Sequence, residues 1–448
     1  MNQKKDPAKV SMFALALPLC LEQAFRILVS SIDTVMLSGF DNAAVAAVGM
    51  TSQYAFFINI LYNVVCVGTM IVLSQFLGAK KSKEELGGIV MASIILVVSF
   101  SIIMSFAVIF GTGALLSCYT LEENVRNYAH EYFVIFCGFG SVFIAFNLLQ
   151  GAVIRAYGYT KQILFATILA NICNVIGNAL SLYGWFGLPV LGLPGVAVSS
   201  VVGNFLSCVY LAVVIKQKKE IQFNLKNLFS IDKVYFKKIL KIGIPTAGEN
   251  LSYNVAQIVI MAMITTLGTA AMSAQVYTQT ICRFVYMTAV GIGSATQIKI
   301  GYFVGSRNAD EAYRNLWHYQ LCGTLTSMIL IVLMNMGKGF IIPLFTKDPV
   351  ITGYVSTLLL CSIYLEFGRS LNLISIGGLK GAGDVVFPVS YGIFSMWCIM
   401  VLFSYILGLK MGLGLTGFWL AIGTDETTRG LVMLLRWKSR RWQAKALV

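Results

Sequence analysis

The sequence has few charged residues. Asp, Glu, Lys and Arg make up 12% of its 448 positions, about half of their usual share in a soluble protein. So few charges cannot cover a surface that faces water, which excludes a soluble enzyme of two or three domains. With 57% hydrophobic residues, 41 glycines and 29 phenylalanines, disorder, collagen and coiled coils are excluded as well. The composition therefore predicts a polytopic membrane protein.

The sequence also lacks the residue patterns of an enzyme or of a metal site. Only two histidines are present, and neither HExxH nor GxSxG occurs. The ten cysteines are dispersed without a CxxC pair, so we interpret them as small apolar filler. We expect His130 and His318 to lie at the membrane surface, with a proton relay as the less favoured alternative. The sequence thus predicts no enzyme activity, no resident metal and no cofactor.

Long hydrophobic segments fill most of the chain. Charge-free stretches cover residues 42–79, 86–121, 132–154 and 162–215, and the last contains a turn rich in glycine and proline at 183–195. Further segments are centred near residues 25, 256, 287, 327, 365, 397 and 425. Each is longer than a membrane-spanning strand and shows no alternation of period two, so each is predicted to be a helix. The sequence predicts an all-α protein with twelve transmembrane helices.

The basic residues predict how these helices are oriented. With both termini placed in the cytoplasm, 25 of the 33 Lys and Arg residues fall on the cytoplasmic side, four fall on the other side and four lie within spans. This distribution follows the positive-inside rule. It also accounts for the net charge of +14, so we reject nucleic acid as a partner. We expect a monomeric, multi-pass protein of the cell membrane, surrounded by the lipid bilayer.

An internal repeat divides the chain into two halves. When the sequence is aligned with itself so that Pro18 meets Pro245, Glu22 meets Glu249 in the same register. Further aligned pairs are Ala43 and Ala270, Thr69 and Thr296 and, after a short gap, Arg155 and Lys380. Six spans are therefore repeated as six more. Because the number of spans in each repeat is even, a pseudo-two-fold axis along the membrane normal relates the two halves.

The repeat predicts two six-helix lobes. The amino-terminal lobe covers residues 1–215, a basic cytoplasmic linker covers 216–236, and the carboxyl-terminal lobe covers 237–448. Two such lobes with a cleft between them can rock against each other and expose the cleft to either side. Because proline bends a helix, the equivalent residues Pro18 and Pro245 predict two kinks that the transport cycle uses.

Several charges fall within the predicted spans, where each costs ~2.5–3.5 kcal/mol on insertion scales. Most have a partner three or four residues away on the same helical face. These pairs are Glu22 with Arg26, Glu366 with Arg369, and Asp425 with Arg429. Each pair either fixes helix packing or takes part in transport. Glu249 has no cation within a turn of its own helix, so we expect Arg283 on the next span to be its partner.

Asp33 differs from these charges because its nearest helical cation, Arg26, lies two turns away. A carboxylate without a partner in a low-dielectric region takes up a proton near neutrality, or it ligates a small cation such as Na⁺ with neighbouring oxygens. A site hydrated at the surface is a third interpretation. On the fifth span, a polar stripe is formed by Asn171, Asn174 and Asn178. These amides either bridge helices or face a cleft beside Asp33.

Short motifs stand at corresponding places along the spans. The first span carries Asp33-Thr-Val-Met-Leu-Ser-Gly39, and the second ends in Gln75-Phe-Leu-Gly-Ala79. The second half carries Gly243-Ile-Pro-Thr-Ala-Gly-Glu249 and Leu379-Lys-Gly-Ala-Gly-Asp384. As an ordered set covering essentially the whole chain, these motifs resemble those of the MATE (multidrug and toxic compound extrusion) transporters.

The resemblance implies two six-helix lobes around a central cleft, and export of cationic, often aromatic, compounds in exchange for H⁺ or Na⁺. The coupling carboxylate of the family's first span corresponds to Asp33. The family's fifth-span acid corresponds to Asn178, which departs from the pattern, while the polar position before it is kept as Asn174. This departure gives weight to candidates in the second lobe, which are Glu249, Glu366 and Arg369.

The sequence therefore predicts a secondary active antiporter whose partners are small organic cations. The alternative is a flippase for lipid-linked saccharides from the same superfamily. We favour it less because a flippase needs a cationic cleft for phosphates, whereas Asp33, Glu22 and Glu249 form an acidic surplus. An uncoupled channel or receptor is a further alternative. Either H⁺ or Na⁺ is compatible with the sequence as the coupling ion.

Overall fold

The computed structural model of the chain describes residues 10–187, 189–218 and 232–448. Within these ranges the chain is helical and contains no β-strand. Apolar segments fold in this way because a backbone inside a bilayer must satisfy its own N–H and C=O groups. The all-α class predicted from the sequence is confirmed.

The first half contains seven α-helices. Their bounds are α1 Met12–Ser38, α2 Asn42–Gly78, α3 Lys83–Ser117, α4 Glu123–Phe133, α5 Ser141–Ala156, α6 Thr160–Tyr183 and α7 Gly192–Gln217. A π-helical stretch, Val134–Phe139, joins α4 to α5, and the two helices form one segment with a bend of 48°. A break between α6 and α7 falls within the predicted turn at residues 183–195, although residues 192–195 already belong to α7.

The second half contains seven more α-helices. Their bounds are α8 Lys233–Thr265, α9 Thr269–Gly305, α10 Ala309–Met336, α11 Lys338–Ile341, α12 Pro349–Gly381, α13 Val386–Ser395 and α14 Gly414–Lys438. Two π-helical stretches, Met396–Val401 and Ser404–Lys410, extend α13. Most of the predicted linker at 216–236 lies outside the described residues, because 219–231 are not among them.

Twelve long helical segments result over the described ranges when α4 and α5 count as one and α13 is taken with its π-helical extension. Eight of them are long and apolar enough to cross a membrane, or nine with the bent pair. The other three, α8, α9 and α14, carry more polar side chains. The predicted layout of twelve helices fits this arrangement.

Local signals at the helix ends explain where several helices begin and end. At the start of α3, the Ser82 hydroxyl accepts a hydrogen bond from the Glu85 N–H, and the Glu85 carboxylate accepts one from the Ser82 N–H. This reciprocal capping box satisfies two N–H groups that the helix leaves free. Asp348 caps α12 just before Pro349. Helix α6 ends at Gly184, whose φ of 61° places it in the left-handed region.

Contacts divide the chain into two compact units. The carboxyl unit contains the residues up to Cys20, then Ser74–Lys80 and Pro245–Val448, and the amino unit contains Leu21–Leu73 and Lys81–Ile244. The start of α1 and the end of α2 therefore belong to the carboxyl unit, while the start of α8 belongs to the amino unit. The lobe bounds 1–215 and 237–448 remain a prediction of the sequence.

Each unit has its own apolar core. In the amino unit, a buried cluster includes Leu37, Leu116 and Leu193. In the carboxyl unit, a buried cluster joins side chains of α8, α9, α10, α12 and α14, with Phe418 and Trp419 among its buried members. These cores hold the polar side chains of each unit in fixed positions.

In the carboxyl unit, the ends of α2 and α9 touch through their backbones. A Cβ atom at Gly78 would lie 2.2 Å from the carbonyl oxygen of Tyr302, and one at Gly305 would lie 2.0 Å from that of Gln75. Positions 78 and 305 are equivalent in the repeat, and so are positions 75 and 302. The contact is therefore reciprocal, and glycine is required on both sides of it.

The carboxyl-terminal segment packs against the carboxyl unit. The rings of Trp437 and Trp442 are stacked with centroids 4.1 Å apart, and both residues are fully buried. The Gln75 side chain accepts a hydrogen bond from the Leu447 N–H at 2.8 Å and donates one to the Gly381 carbonyl at 2.8 Å. The last residues are thus held by both π-stacking and hydrogen bonds.

Candidate functional site

Asp33 lies near the carboxyl end of α1, within the amino unit. Its carboxylate accepts a hydrogen bond from the Asn178 side chain on α6 at 2.8 Å. The same Asn178 amide donates to the Asn174 side chain at 3.2 Å. Over the described part of the chain, no Lys, Arg or His forms an ion pair with Asp33. The structure thus brings together three of the residues that sequence analysis proposed for ion coupling.

The hydrogen bonds continue from these residues into α7. Asn174 donates to the Ser200 hydroxyl at 2.7 Å, and both asparagines are buried. Within the described residues, the side-chain oxygen of Asn178 has no hydrogen-bond partner. A carboxylate beside a free amide oxygen is suited to bind a proton or a small hard cation, which prefers oxygen ligands. Ser200 was not predicted.

Asn171 does not join this site. Its side-chain nitrogen is buried and has no hydrogen-bond partner among the described residues. The polar stripe of α6 therefore divides, because Asn174 and Asn178 contact Asp33 or its neighbours and Asn171 does not. Across the ranges that the structure describes, no cluster of three His, Cys, Asp or Glu side chains is suited to a metal ion.

The amino unit also contains a polar cavity of about 180 Å³. Arg26, Arg155, Asn147 and Asn204 are among the residues that line it. Asn147 donates to the Asn204 side-chain oxygen at 3.1 Å and accepts a hydrogen bond from Ser207 at 3.1 Å. These amides link α5 to α7 next to the charged groups.

Glu22 is paired with two arginines inside the amino unit. Arg26 lies 3.1 Å from its carboxylate, as the spacing along α1 predicts, and Arg155 on α5 lies 2.6 Å away. Glu22 is almost completely buried. The two arginines compensate the negative charge of Glu22. Glu22 therefore does not contribute to the acidic surplus that was expected from the sequence.

Glu249 is paired with Lys380 on α12 at 2.7 Å, in the carboxyl unit. The expectation that Arg283 is its partner was wrong. Lys380 is 131 positions away in sequence, so helical spacing gave no signal for this contact. The repeat contained one, because Glu22 aligns with Glu249 and Arg155 aligns with Lys380. The acidic surplus inferred from the sequence is thereby reduced to Asp33.

The carboxyl unit holds a group of charges that are buried apart from Arg369, which is partly buried. Arg369 pairs with Glu366, and Arg429 lies 2.8 Å from Asp425 and 3.3 Å from Glu426. The Ser395 hydroxyl donates to Asp425 at 2.5 Å, and the Asn372 amide donates to Glu426 at 2.8 Å.

In this group, three carboxylates face two guanidinium groups. Glu366 and Arg369 form one pair, and Arg429 with Asp425 and Glu426 forms a second group. Sequence analysis proposed four of them and missed Glu426, although its spacing of three residues from Arg429 carried the same signal as the pairs it did identify.

The remaining predicted residues lie outside these networks. Pro18 and Pro245 sit inside α1 and α8, both of which continue past them, and the predicted kinks remain a prediction. The side chains of His130 on α4 and His318 on α10 are exposed. Neither histidine contacts Asp33 or the buried charges.

Both the sequence and the fold of this chain are similar to those of known proteins. The family model described as MatE matches residues 18–180 and 245–406. The two stretches start at positions 18 and 245, which are the two prolines that the internal repeat aligns. Each matched stretch therefore lies within one of the two predicted repeats.

The similarity to known proteins and structures extends over nearly the whole chain. An uncharacterized transporter of Bacillus subtilis (strain 168), YisQ, is 35% identical over 445 residues, which cover 99% of this chain and 97% of that protein. A probable multidrug resistance protein, NorM of Thermotoga maritima, is 24% identical over 98% of this chain and 94% of its own length. A solved structure of a MOP superfamily transporter from Pyrococcus furiosus has a TM-score of 0.88, 20% identity, and coverage of 98% and 96%.

Proposed function

The chain belongs to the MATE family of membrane transporters, and on this premise we propose that it is a secondary active antiporter. It exports small organic cations, many of them aromatic, in exchange for H⁺ or Na⁺. It acts as a monomer in the cell membrane, with both termini in the cytoplasm and with its two lobes rocking around the substrate. The observation that carries the proposal is the Asp33 carboxylate, which accepts a hydrogen bond from Asn178 and has no ion pair in the described ranges.

Asp33 supplies the coupling because one carboxylate can serve the ion and the substrate in turn. When it is ionised, its negative charge attracts an organic cation. When H⁺ or Na⁺ binds it, the charge is cancelled and the attraction is lost. The two ligands therefore oppose each other, and this coupling is reciprocal by thermodynamic linkage.

The neighbouring amides support this role. If Asp33 is protonated, its oxygens become weaker acceptors for the Asn178 amide, so the contact between α1 and α6 changes with the state of the site. If Na⁺ binds instead, the free oxygen of Asn178 is available as a second ligand. Asn178 replaces the acid of the family pattern, so a single negative charge has to carry the exchange.

The experiment uses the purified protein in proteoliposomes loaded with ethidium. Efflux is measured under a pH gradient and, separately, under a sodium gradient. We expect one gradient to drive efflux by the wild type, and Asp33→Asn to lower that rate by about tenfold or more, the factor that about 1.4 kcal/mol produces. Asp310→Asn is the matched control, because Asp310 belongs to an exposed pair with Arg440 and such pairs contribute little.

Two results would contradict the proposal. Efflux that ignores both gradients in intact protein would exclude ion-coupled antiport. Efflux by Asp33→Asn at the wild-type rate would place the coupling group elsewhere, and Glu366 with Arg369 in the carboxyl unit would be the next pair to test.

A further inference from the structure

The first turns of α8 carry three lysines on one face, which we call the lysine stripe. Lys233, Lys237 and Lys241 follow one another at a spacing of four residues, so their side chains are neighbours along the helix. All three side chains are exposed, whereas Lys238 is partly buried and lies on a different face. Within the described ranges, none of the three forms an ion pair or a hydrogen bond. The lysine stripe therefore presents three uncompensated charges over about 12 Å of helix.

The same face of α8 becomes apolar in the next turn. Ile244 is 59% exposed, and Leu251 and Ile258 are exposed further along this face. From Lys241 to the end of the helix, the one charged side chain is the buried Glu249. A helix that enters a bilayer changes from basic to apolar where the headgroups meet the hydrocarbon. The lysine stripe therefore stands at the level of the headgroups.

The opposite face of α8 fixes the direction in which the lysine stripe points. Ile239 and Ile242 are buried on that face, and the backbone lies directly against α2. A Cβ atom at Gly68 of α2 would clash with the carbonyl group of Ile239, and one at Gly243 would clash with that of Val64. Because the two backbones touch, α8 has no room to rotate about its axis. The lysines therefore point away from the protein.

The acids around the start of α8 already have other roles. The Asp232 carboxylate accepts a hydrogen bond at 2.9 Å from a backbone N–H of the first turn, so it caps the helix. Helix α3 packs against α8 where Gly88 meets the ring of Tyr235, and its Glu85 pairs with Lys81 at 3.1 Å. The charge of the lysine stripe is thus available to an anionic ligand.

We propose that the lysine stripe binds the headgroups of anionic phospholipids, in the leaflet that is cytoplasmic in the proposed orientation. The lipid phosphates pair with the lysines, and the acyl chains lie along Ile244. A soluble anion would match the charges but leave the adjoining apolar surface uncovered, so a lipid fits this face best. The inference goes beyond export and does not depend on it. Because α8 passes from the amino unit to the carboxyl unit between Ile244 and Pro245, the bound lipid holds the segment that precedes this passage.

The test measures the unfolding temperature of the purified protein in a neutral detergent. Dioleoylphosphatidylglycerol, dioleoylphosphatidylcholine and inorganic phosphate are titrated separately. We expect the phosphatidylglycerol to raise the unfolding temperature of the wild type, because a ligand of the native state stabilises it, and the other two to leave it unchanged. Lys233→Gln/Lys237→Gln/Lys241→Gln should need about tenfold more phosphatidylglycerol for half of the shift, the factor that about 1.4 kcal/mol produces.

Two matched variants serve as controls. Changing the same three lysines to arginine keeps the charge and should keep the response. Lys83→Gln/Lys161→Gln/Lys216→Gln removes three exposed lysines from other helices, and its half-maximal concentration should change less than twofold. If the glutamine variant of the stripe fails to accumulate, added salt provides a second measurement, since it screens exposed charges and should weaken the response of the wild type.

Three results would overturn the inference. The first is an equal response of the wild type to phosphatidylcholine and to phosphatidylglycerol. The second is an unchanged response to phosphatidylglycerol in the glutamine variant of the stripe or, if that variant is not obtained, in the wild type at high salt. The third is a full response to inorganic phosphate alone, which would assign the lysine stripe to a soluble anion.

Discussion

The two repeats share one ion pair and differ in the polar network around it. Glu22 pairs with Arg155 at 2.6 Å in the first repeat, and Glu249 pairs with Lys380 at 2.7 Å in the second. The four residues stand at equivalent positions of the repeat. Each pair joins the first span of its repeat to the fourth span, so the duplicated pair belongs to the scaffold that both halves need.

The positions around this ion pair differ in charge between the two repeats. In the register that aligns Arg155 with Lys380, Asn147 of the first repeat corresponds to Asn372 of the second. In the same register, the equivalents of Ser200 and Asn204 are Asp425 and Arg429. These positions of the first network are therefore neutral, whereas their equivalents in the second carry buried charges that lie within an ion pair.

This difference explains why Asp33 stands apart. Its equivalent in the second repeat, in the register that aligns Glu22 with Glu249, is Ile260. In the first repeat, neutral amides and a hydroxyl solvate one carboxylate without neutralising it. In the second, guanidinium groups compensate the acids and fix the packing. Among the described residues, the same architecture thus places a carboxylate without an ion pair in one half and paired charges in the other.

The largest expected effect comes from removing the cation of the second network. Arg429→Met leaves Asp425 and Glu426 buried without their guanidinium, which should cost about 3–5 kcal/mol of stability. The equivalent change in the first repeat, Asn204→Leu, loses hydrogen bonds between neutral groups and should cost about 1–3 kcal/mol. The thermal unfolding temperature of the purified proteins in detergent measures both.

If Arg429→Met fails to accumulate, Asp425→Asn/Arg429→Met provides the second measurement. This variant removes one of the uncompensated carboxylates, so it should recover part of the lost stability. Equal losses in Arg429→Met and Asn204→Leu would show that the two networks do not differ in the way described.

The next largest effect distinguishes the two copies of the shared ion pair, which contain Glu22 in the first repeat and Glu249 in the second. Glu22→Gln leaves two arginines without their carboxylate and should cost about 3 kcal/mol. Glu249→Gln leaves one cation, Lys380, without its carboxylate, so its cost should be smaller.

The unfolding temperatures of the two purified variants in detergent measure these costs. Equal losses in Glu22→Gln and Glu249→Gln would refute the distinction.

The smallest expected effect concerns the backbone contact that the repeats share. Gly78→Ala and Gly305→Ala should each cost about 1–3 kcal/mol, because a Cβ forces the two helices apart. Gly111 on α3 has no atom within 4 Å of its Cβ position, so Gly111→Ala should be neutral or stabilising by about 0.5–1 kcal/mol. Unequal losses at the two crossing glycines would show that the contact is not reciprocal.

The sequence predicted the helices and the repeat because both depend on local composition and on spacing. An apolar run of about 20 residues is long enough to cross a membrane as a helix and too long for a membrane-spanning strand. The pairs Glu22–Arg26 and Asp425–Arg429 follow from a spacing of four residues, which places both side chains on one helical face. The π-helical stretches beside α4 and α13 were not predicted, because no residue pattern distinguishes them from an α-helix of the same apolar composition.

The candidate site was predicted only in part, because its contacts join distant segments. Asn178 lies 145 positions from Asp33, and sequence analysis left their proximity as one of two interpretations of the polar stripe on the fifth span. Lys380 was missed as the partner of Glu249, since a contact over 131 positions is set by helix packing and not by spacing. The internal repeat did carry a signal for that pair, because it aligns the acid Glu22 with Glu249 and the base Arg155 with Lys380.

The packing of the carboxyl-terminal segment matters for anyone who attaches a fusion partner there. The rings of Trp442 and Trp437 are stacked on each other. The N–H of Leu447, the residue before Val448, donates a hydrogen bond to the Gln75 side chain. Gln75 also belongs to the crossing of α2 and α9. A fluorescent protein or affinity tag joined directly to Val448 would pull on that crossing, so a flexible spacer belongs between them.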